Sequence, residues 1–247
     1  FLLRNCKIPM KRILLLSQLH ISILLQLVIY LSFILNFQEI AAQKTAVFAI
    51  PDSLKTISYE ELRAKIIYSK TSKEKTYAQA FISKAKKNND TLKLAEGYSL
   101  MSSVLISNST SIKYADSIIA LTKNKTDFKY PGHGYLIKGI SLFNTGSYHN
   151  ALDNYLIAQN YASKNNNTEQ LLFIKNVIGK LKNIWGNHQE SLHYFNAIFD
   201  VLKNNKDLNI DNKQLLFLST IYSISNANIQ LKNLDTALFY TKLGVAK

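Results

Sequence analysis

The chain has 247 residues, 47% of them hydrophobic, which suits one medium-sized folded domain or a repeat array behind a leader segment. Its three prolines and eight glycines are too few for the many turns of an all-β protein, whereas stretches rich in Leu, Ile, Lys and Ala favour helices. The single cysteine excludes a disulfide within the chain, and the lack of cysteine clusters and of paired histidines argues against the usual zinc sites.

The formal net charge of +14 is typical of proteins that bind nucleic acid or an anionic membrane. The alternative is compositional, because Lys and Asn are abundant along the whole chain. Arginine makes most of the bidentate contacts to bases and phosphates, yet it occurs only at Arg4, Arg12 and Arg63. We therefore expect that this chain itself binds no nucleic acid.

The first predicted element is an N-terminal apolar helix. Lys11 and Arg12 precede a run without charged residues over 13–37, and small residues then lead to a signal-peptidase site after Ala42. The run is also long enough to stay in a bilayer as an anchor, and a buried core helix is a third interpretation. In the first two cases the rest of the chain is exported, as a periplasmic or an inner-membrane-anchored protein. The membrane is then contacted only through an uncleaved N-terminal segment.

Internal repeats follow the leader. Residues 76–98 resemble residues 113–135 at an offset of 37, and residues 137–158 resemble residues 177–198 at an offset of 40. A weaker copy covers 226–244. Periods of this length are typical of architectures in which each repeat is one helical hairpin.

The best-preserved copy carries the pattern G-x6-G-x-Y-x2-A-x3-Y-x2-A from Gly139 to Ala158. Within it, Ala151, Tyr155 and Ala158 have helical spacing, and Gly146 suits a tight turn between two helices. Polar strings end the second helix of each unit. This register predicts five amphipathic helical hairpins, which lie at 58–87, 92–123, 132–163, 168–205 and 212–247.

The other copies follow the register less closely. The second hairpin has Ser99 where the third has Gly139, and it lacks the turn glycine. The last hairpin has Ser225 and Lys232 at the two glycine positions. The first hairpin opens with SYEE at 58–61, which has the spacing of a helix capping box.

The pattern from Gly139 to Ala158 resembles the tetratricopeptide repeat (TPR). The resemblance implies an all-α fold, a right-handed superhelical solenoid of about five antiparallel helix pairs, preceded by the apolar N-terminal helix. The chain then divides into three parts: upstream residues plus a signal peptide or anchor at 1–42, a linker at 43–57 and a TPR-like domain at 58–247.

A narrower resemblance rests on the leader and on the segments 52–62 and 113–124. These segments look like the sensory half of TPR-containing regulators of Bacteroidetes, which continue through a membrane helix into an AraC-type helix-turn-helix. The resemblance implies a periplasmic sensory role and a fragment or truncated relative of such a regulator. It assigns DNA binding to no residue of this chain.

The predicted functional surface is the concave face of the solenoid, which the first helix of each pair lines and which usually receives a partner. The register places five side chains there, namely Asn176, Lys180, Asn183, Tyr222 and Asn226. Carboxamides can hold a peptide backbone through both donor and acceptor groups, and Lys180 could meet a carboxylate. A non-catalytic scaffold for a peptide or protein is therefore predicted. The alternative is a solvated face that is rich in Asn because the whole chain is.

No catalytic residue, cofactor or metal site is predicted. His188 and His193 are five residues apart, which departs from the i, i+4 spacing of two helix ligands, and no acidic cluster joins them. No serine lies in a G-x-S-x-G elbow. The sequence GHG at 132–134 is expected to be a flexible helix start and lacks the features of a phosphate loop.

Overall fold

The computed structural model describes residues 50–68, 73–105, 109–125, 127–205 and 213–245. The predicted leader at 1–42 lies outside these residues, as does the first half of the predicted linker. Among the described residues, no helix is both long and apolar enough to span a bilayer.

Within the described ranges the chain forms eleven helices and no strand. They are α1 (Asp52–Lys55), α2 (Tyr59–Tyr68), α3 (Glu74–Lys87), α4 (Thr91–Val104), α5 (Ser109–Thr122), α6 (Gly132–Asn144), α7 (Tyr148–Lys164), α8 (Thr168–Ile184), α9 (His188–Asn204), α10 (Lys213–Gln230) and α11 (Leu234–Val245).

Ten of these helices form five antiparallel pairs, α2/α3, α4/α5, α6/α7, α8/α9 and α10/α11, which coincide with the five predicted hairpins. The all-α, right-handed superhelical solenoid predicted from the repeats is therefore confirmed. We call the first helix of each pair its A helix and the second its B helix. Each A helix packs on its own B helix and, from α4 onward, on the B helix of the preceding pair.

The A helices form the inner layer of the solenoid. From α4 to α10 each A helix also touches the next A helix, while no comparable contact joins two B helices among the described residues. Helices that approach one another lie on the shorter, inner side of a curved stack. The A helices therefore line the concave face.

The turns inside the pairs confirm the repeat register. Gly146 and Gly186 both have φ of +80°, and Lys232, which occupies the same position in the last pair, has φ of +62°. This left-handed conformation is favourable for glycine and costs other residues free energy. The left-handed turn conformation is therefore kept in the last pair, although lysine replaces glycine there.

We expect Lys232→Gly to raise the free energy of unfolding by about 0.5–1 kcal/mol, because glycine adopts the left-handed conformation without steric cost. Chemical denaturation followed by circular dichroism measures this change. The matched control is Lys113→Gly in the exposed face of α5, where glycine should lower stability by about 1 kcal/mol. An unchanged stability of Lys232→Gly would mean that the lysine is not strained.

The small residues of the repeat lie where an A helix meets its own B helix. A Cβ atom built on Gly139 would lie 2.4 Å from Tyr155 Cε1 and 3.1 Å from the carbonyl oxygen of Ala151. One built on Gly179 would lie 2.7 Å from Cε1 of the fully buried Phe195. The repeat therefore pairs a glycine on the A helix with an aromatic ring on the B helix.

In the second pair, Ser102 takes this glycine position, and the assignment of Ser99 to it was wrong. Ser102 Oγ donates to the carbonyl oxygen of Ser111 at 3.3 Å. In the last pair Ser225 Oγ donates in the same way to the carbonyl oxygen of Ala237, at 3.0 Å. The error has a simple cause, because the A helices of the second and third pairs are offset by 37 residues, whereas their B helices are offset by 40.

The N-terminal edge of the array includes part of the predicted linker. Ile50, Leu54 and Ile57 pack against the buried side chains of Leu62 and Phe81. The predicted cap of α2 is present, since the backbone N–H at position 61 donates to the hydroxyl at position 58 over 3.0 Å. These contacts cover the first pair with apolar side chains of the preceding segment.

Candidate functional site on the concave face

Two of the five predicted site residues bond to each other. Asn183 Nδ2 donates to Asn226 Oδ1 at 2.9 Å and so links α8 to α10. Asn183 Oδ1 also lies 2.7 Å from His188 Nδ1, at the start of α9. The Asn183 carboxamide therefore has hydrogen-bond partners at both ends, which ties it to the junction between consecutive pairs.

Asn176 and Tyr222 occupy equivalent repeat positions but have opposite exposures. Asn176 is 5% exposed, whereas Tyr222 on the last A helix is 71% exposed. Asn176 Nδ2 has no hydrogen-bond partner, and the side chain is buried in this conformation.

Lys180 is the accessible cation of the predicted set. Its side chain reaches the surface from α8, and partial burial against the surrounding helices lowers its pKa. Of the predicted residues, Lys180 and Tyr222 are thus free to meet a partner in this conformation, while Asn183 and Asn226 are engaged with each other.

Tyr222 and Asn226 line a cavity of about 440 Å³ between α10 and α11. Leu238 on α11 is 52% exposed, and Val245, which lines the cavity from the same helix, is 85% exposed. Their equivalents in the preceding pair are Leu192 and Phe199, which are 8% and 9% exposed because α10 packs over them. This cavity therefore lies on the face of the last described pair that corresponds to the face covered by α10 in the preceding pair. Its position suits the packing of a helix better than the binding of a small ligand.

A second cavity, of about 480 Å³, lies on the concave face, and we call it the α6–α8 pocket. Its walls come from α2, the loop before α6, and the inner faces of α6 and α8. The lining residues are Arg63, Phe128, Lys129, His133, Leu136, Ile140, Asn167, Glu169, Gln170, Phe173 and Val177.

Each main wall of the α6–α8 pocket is one face of one A helix. His133, Leu136 and Ile140 line it from α6, and Gln170, Phe173 and Val177 line it from α8. Each triplet has i, i+3, i+7 spacing, which places its members on one helix face. This pocket was not predicted from the sequence, although the i, i+3, i+7 spacing on both helices was a signal for it.

The loop before α6 forms the rim of the pocket. Hydrogen bonds within this loop and from the turn between α7 and α8 hold it in place. Asp127 Oδ1 accepts hydrogen bonds from the backbone N–H groups of Lys129 and Tyr130, both at 2.8 Å. The Tyr130–Pro131 peptide bond that follows is cis. Phe128 is 59% exposed at the edge of the pocket.

Carboxamides from the turn between α7 and α8 satisfy the carbonyl groups of the loop. Asn165 Nδ2 donates to the carbonyl oxygen of residue 127 at 2.9 Å, and Asn167 Nδ2 donates to that of residue 128 at 3.2 Å. Gln170 Nε2 reaches the carbonyl oxygen of residue 129 at 3.5 Å, which is a long hydrogen bond. Asn167 Oδ1 also caps α8 by accepting from the N–H of Gln170 at 3.0 Å. We call these three side chains the amide clamp.

One polar atom beside the pocket lacks a partner. Gln170 is 5% exposed and its Oε1 accepts no hydrogen bond. A buried acceptor without a partner costs about 1–3 kcal/mol. The Gln170 side chain therefore makes a single long hydrogen bond, the fewest of the three side chains in the clamp.

His133 forms the polar wall opposite Gln170. Its Nε2 lies 3.0 Å from Ser99 Oγ on α4. Burial holds the pKa of His133 well below its usual value of 6.5, and the nearby Lys129 charge lowers it further. The imidazole is therefore neutral at pH 7, with one ring nitrogen engaged by the serine.

The glycines on either side of His133 are packed, contrary to the expected flexible helix start. A Cβ atom on Gly132 would lie 2.8 Å from Tyr161 Cβ, and one on Gly134 would lie 2.9 Å from Ile119 Cγ1. Both glycines are buried because α6 begins close to the preceding and following B helices. This close packing fixes the direction of the His133 side chain between them.

We expect the stability of the protein to fall between pH 7 and pH 5 by more than that of His133→Gln. His133 stays neutral in the folded state, while the unfolded chain protonates it below its usual pKa of 6.5. The unfolded state then binds more protons, so this contribution is lost as the pH falls, by at most about 1.4 kcal/mol per pH unit. Urea denaturation of both proteins across this range measures the difference. Parallel pH profiles would contradict a neutral His133 in the folded state.

No group of three or more His, Cys, Asp or Glu side chains in the described part of the chain is placed to hold a metal ion.

Comparisons with known proteins match this chain by fold and not by sequence. No protein-family model and no curated protein matches it. One matching structure is a single-residue variant of nearly identical TPR-like repeats, from a kinesin light chain candidate of Podosopora anserina. It has 10% sequence identity and a TM-score of 0.54, and the match covers 76% of this chain and 91% of that one. Another structure of those repeats gives 8% identity and a TM-score of 0.52, over 76% of this chain and 92% of that one.

The apo form of RapI matches with 17% identity and a TM-score of 0.56. The match covers 85% of this chain and 56% of RapI. At such identities the likeness shows the fold alone, and the fold of the described residues is TPR-like. The narrower resemblance to AraC-type regulators is not shown by these comparisons.

Proposed function

We propose that this chain is a non-catalytic scaffold whose concave face binds a peptide or protein segment. The observation that carries the proposal is the inner layer of A helices, which presents partly exposed side chains from successive repeats along one surface. This surface runs from Ser99 on α4 through Ile140 and Phe173 to Tyr222 on α10. Surfaces of this kind in stacked repeats suit an extended ligand that contacts several units at once.

The chemistry of the surface supports a peptide ligand. Apolar side chains such as Ile140 and Val177 offer contact area, while the neighbouring carboxamides and hydroxyls match the donors and acceptors of a peptide backbone. Lys180 supplies a positive charge that a ligand carboxylate can meet, and Tyr222 adds an exposed ring. Aromatic rings and cations on rigid helices are frequent binding hot spots.

Selection of a random peptide library on the purified whole chain tests this proposal. We expect enrichment of a peptide family that the double variant Lys180→Ala, Tyr222→Ala binds at least about tenfold more weakly, a loss of about 1.4 kcal/mol. The matched control is Lys86→Ala with Leu156→Ala on the outer B helices, which should leave binding unchanged. Failure to enrich any peptide above background would overturn the proposed function.

We also propose that the chain is exported and that its leader is cleaved after Ala42 or retained as an anchor. The order of Lys11 and Arg12, the apolar run at 13–37 and the small residues after it supports this. Mass spectrometry of the protein recovered from its own cell distinguishes the two forms. A cytosolic protein that retains residues 13–42 would contradict both.

The alternative function is the periplasmic sensory part of a membrane-bound regulator, supported by the leader and by segments 52–62 and 113–124. It uses the same concave face and adds a downstream effect. The encoding DNA tests it, because this alternative requires a reading frame that continues past Lys247 into an apolar span and a helix-turn-helix. A stop codon directly after Lys247 would remove its support.

A further inference from the structure

We propose that the α6–α8 pocket binds a small uncharged amphipathic molecule, with its apolar part between α6 and α8 and a hydroxyl group beside Gln170. This inference goes beyond the proposed peptide-binding function and does not depend on it. It assigns a second class of ligand to the concave face, at a cavity whose lining defines the chemistry of that ligand.

The size and the apolar walls of the pocket suit a small molecule. Its volume of about 480 Å³ falls within the range of about 300–1,000 Å³ that is typical of small-molecule sites. Leu136 and Ile140 from α6 and Phe173 and Val177 from α8 form the apolar walls. The exposed ring of Phe128 adds apolar surface at the rim. A ligand that fills this space must therefore carry an apolar part.

The charged residues of the lining are already engaged by other groups of the protein. Arg63 Nη1 lies 3.7 Å from Glu96 Oε1. Lys129 Nζ lies 5.8 Å from the centre of the Tyr130 ring, which is a cation–π distance. Glu169 likewise has an interaction partner within the chain. Each of these three side chains would have to share or exchange a partner to bind a charged ligand.

The charges near the loop before α6 also balance. The described residues around this end of the pocket include three cations and three carboxylates, namely Arg63, Lys93 and Lys129 with Glu96, Asp127 and Glu169. Moving a charged group from water into an apolar space costs free energy unless an opposite charge compensates for it. The pocket therefore favours an uncharged ligand over a charged ligand of the same size and shape.

The polar groups that remain available near the loop are uncharged. His133 is neutral at pH 7 because burial lowers its pKa, and its Nε2 lies 3.0 Å from Ser99 Oγ. The Gln170 side chain makes one hydrogen bond, of 3.5 Å, and its Oε1 accepts none in the free chain. A hydroxyl both donates and accepts, so it can bond to this amide whichever way the amide turns. Such a bond would satisfy an acceptor that is otherwise buried at a cost.

Three probes test the charge preference: phenylpropanol, phenylpropionate and phenylpropylamine, which share one apolar part and differ in the head group. Titration of each into the whole chain at pH 7, followed through the NMR signals of the probe, gives the three dissociation constants. We expect phenylpropanol to bind most tightly and both charged probes to bind at least about fivefold more weakly. A charged probe that binds as tightly as phenylpropanol, or no binding of phenylpropanol, would overturn the proposal.

A fourth probe tests the place of the hydroxyl. The methyl ether of phenylpropanol can accept a hydrogen bond but cannot donate one, so it leaves Gln170 Oε1 without a partner. We expect the ether to bind at least about threefold more weakly than phenylpropanol. Equal binding of the two would overturn the position of the hydroxyl beside Gln170.

Two variants locate the site. Val177→Trp should fill the cavity and abolish binding of phenylpropanol, while Leu156→Trp on the exposed face of α7 serves as its control. Phe128→Ala removes the ring at the rim and should weaken phenylpropanol at least about threefold. Its matched control is Phe239→Ala on α11, because that ring is similarly exposed and lies outside the pocket lining. Thermal melting of each variant checks folding.

Phe128→Ala keeps the test decisive if Val177→Trp fails to fold, because position 128 lies in an exposed loop whose carbonyl group stays bonded to Asn167. Binding of phenylpropanol that Phe128→Ala leaves unchanged would overturn the assignment to this pocket. The peptide selection described above is a separate experiment, so failure of the small-molecule site and failure of the peptide surface can be told apart.

Discussion

Gly139→Val is expected to lower the free energy of unfolding by about 3 kcal/mol, although valine has the higher helix propensity. A Cβ atom at this position would lie 2.4 Å and 2.5 Å from two ring carbons of Tyr155, and 3.1 Å from the carbonyl oxygen of Ala151. Tyr155 is 1% exposed, so its ring has no free space into which it can move. The two helices must therefore separate, which breaks the packing of the third pair.

Helix propensity and packing predict opposite signs for this substitution, which makes it a sharp test. Propensity alone predicts a gain of a few tenths of a kcal/mol for valine over glycine in a helix interior. The matched control is Gly244→Ala, whose added Cβ would lie 3.4 Å from Ile221 Cγ2, an ordinary contact distance. Urea denaturation followed by circular dichroism should show no loss for that control. A Gly139→Val protein as stable as the wild type would mean that the close approach of α6 and α7 is not required.

The helix pairs could be predicted from the sequence because their signal is local and repeated. Gly139 and Gly179 recur with an aromatic residue 16 positions later, Tyr155 and Phe195, and that spacing alone sets one A helix against its B helix. The left-handed turn survives at Lys232 because the surrounding register demands it. Local periodicity therefore determines which helices pair and where each one turns.

The candidate site was harder to predict because it depends on which side of an A helix faces the groove. Asn176 and Lys180 are one turn apart, yet the first is buried and the second lies at the surface. Periodicity places both residues on the same broad helix face. A small rotation about the helix axis decides whether such a residue faces the groove or the junction with a neighbouring helix. The exposure of Tyr222 at the Asn176 position depends likewise on whether a further helix covers it.

The α6–α8 pocket shows a second limit of sequence reasoning. Its rim depends on hydrogen bonds from Asn165 and Asn167 to carbonyl groups 38 and 39 residues earlier in the chain. In a chain rich in Asn, no pattern distinguishes these two side chains from the exposed ones. His133 was likewise treated as part of a flexible start because its flanking glycines suggested freedom, whereas they mark close packing.

Phe195→Ala should lower the free energy of unfolding by about 3–5 kcal/mol, because it removes a fully buried ring from the core between α8, α9 and α10. Gly179→Ala alone should lower it by about 1–2 kcal/mol, since the added Cβ would lie 2.7 Å from Phe195 Cε1. The double variant is the informative protein. Once the ring is gone, the new methyl group has space, and alanine contributes about 1 kcal/mol of helix propensity over glycine.

The same substitution at Gly179 should therefore change sign, destabilising the wild type and stabilising Phe195→Ala by about 0.5–1 kcal/mol. Denaturation of the four proteins of the cycle measures this coupling, and additive losses would contradict it. Because Gly139 and Tyr155 occupy the equivalent positions one repeat earlier, a sign change at one pair predicts a sign change at the other. The glycine and the ring would then be one unit of recognition between paired helices, with the small residue required only while its large partner is present.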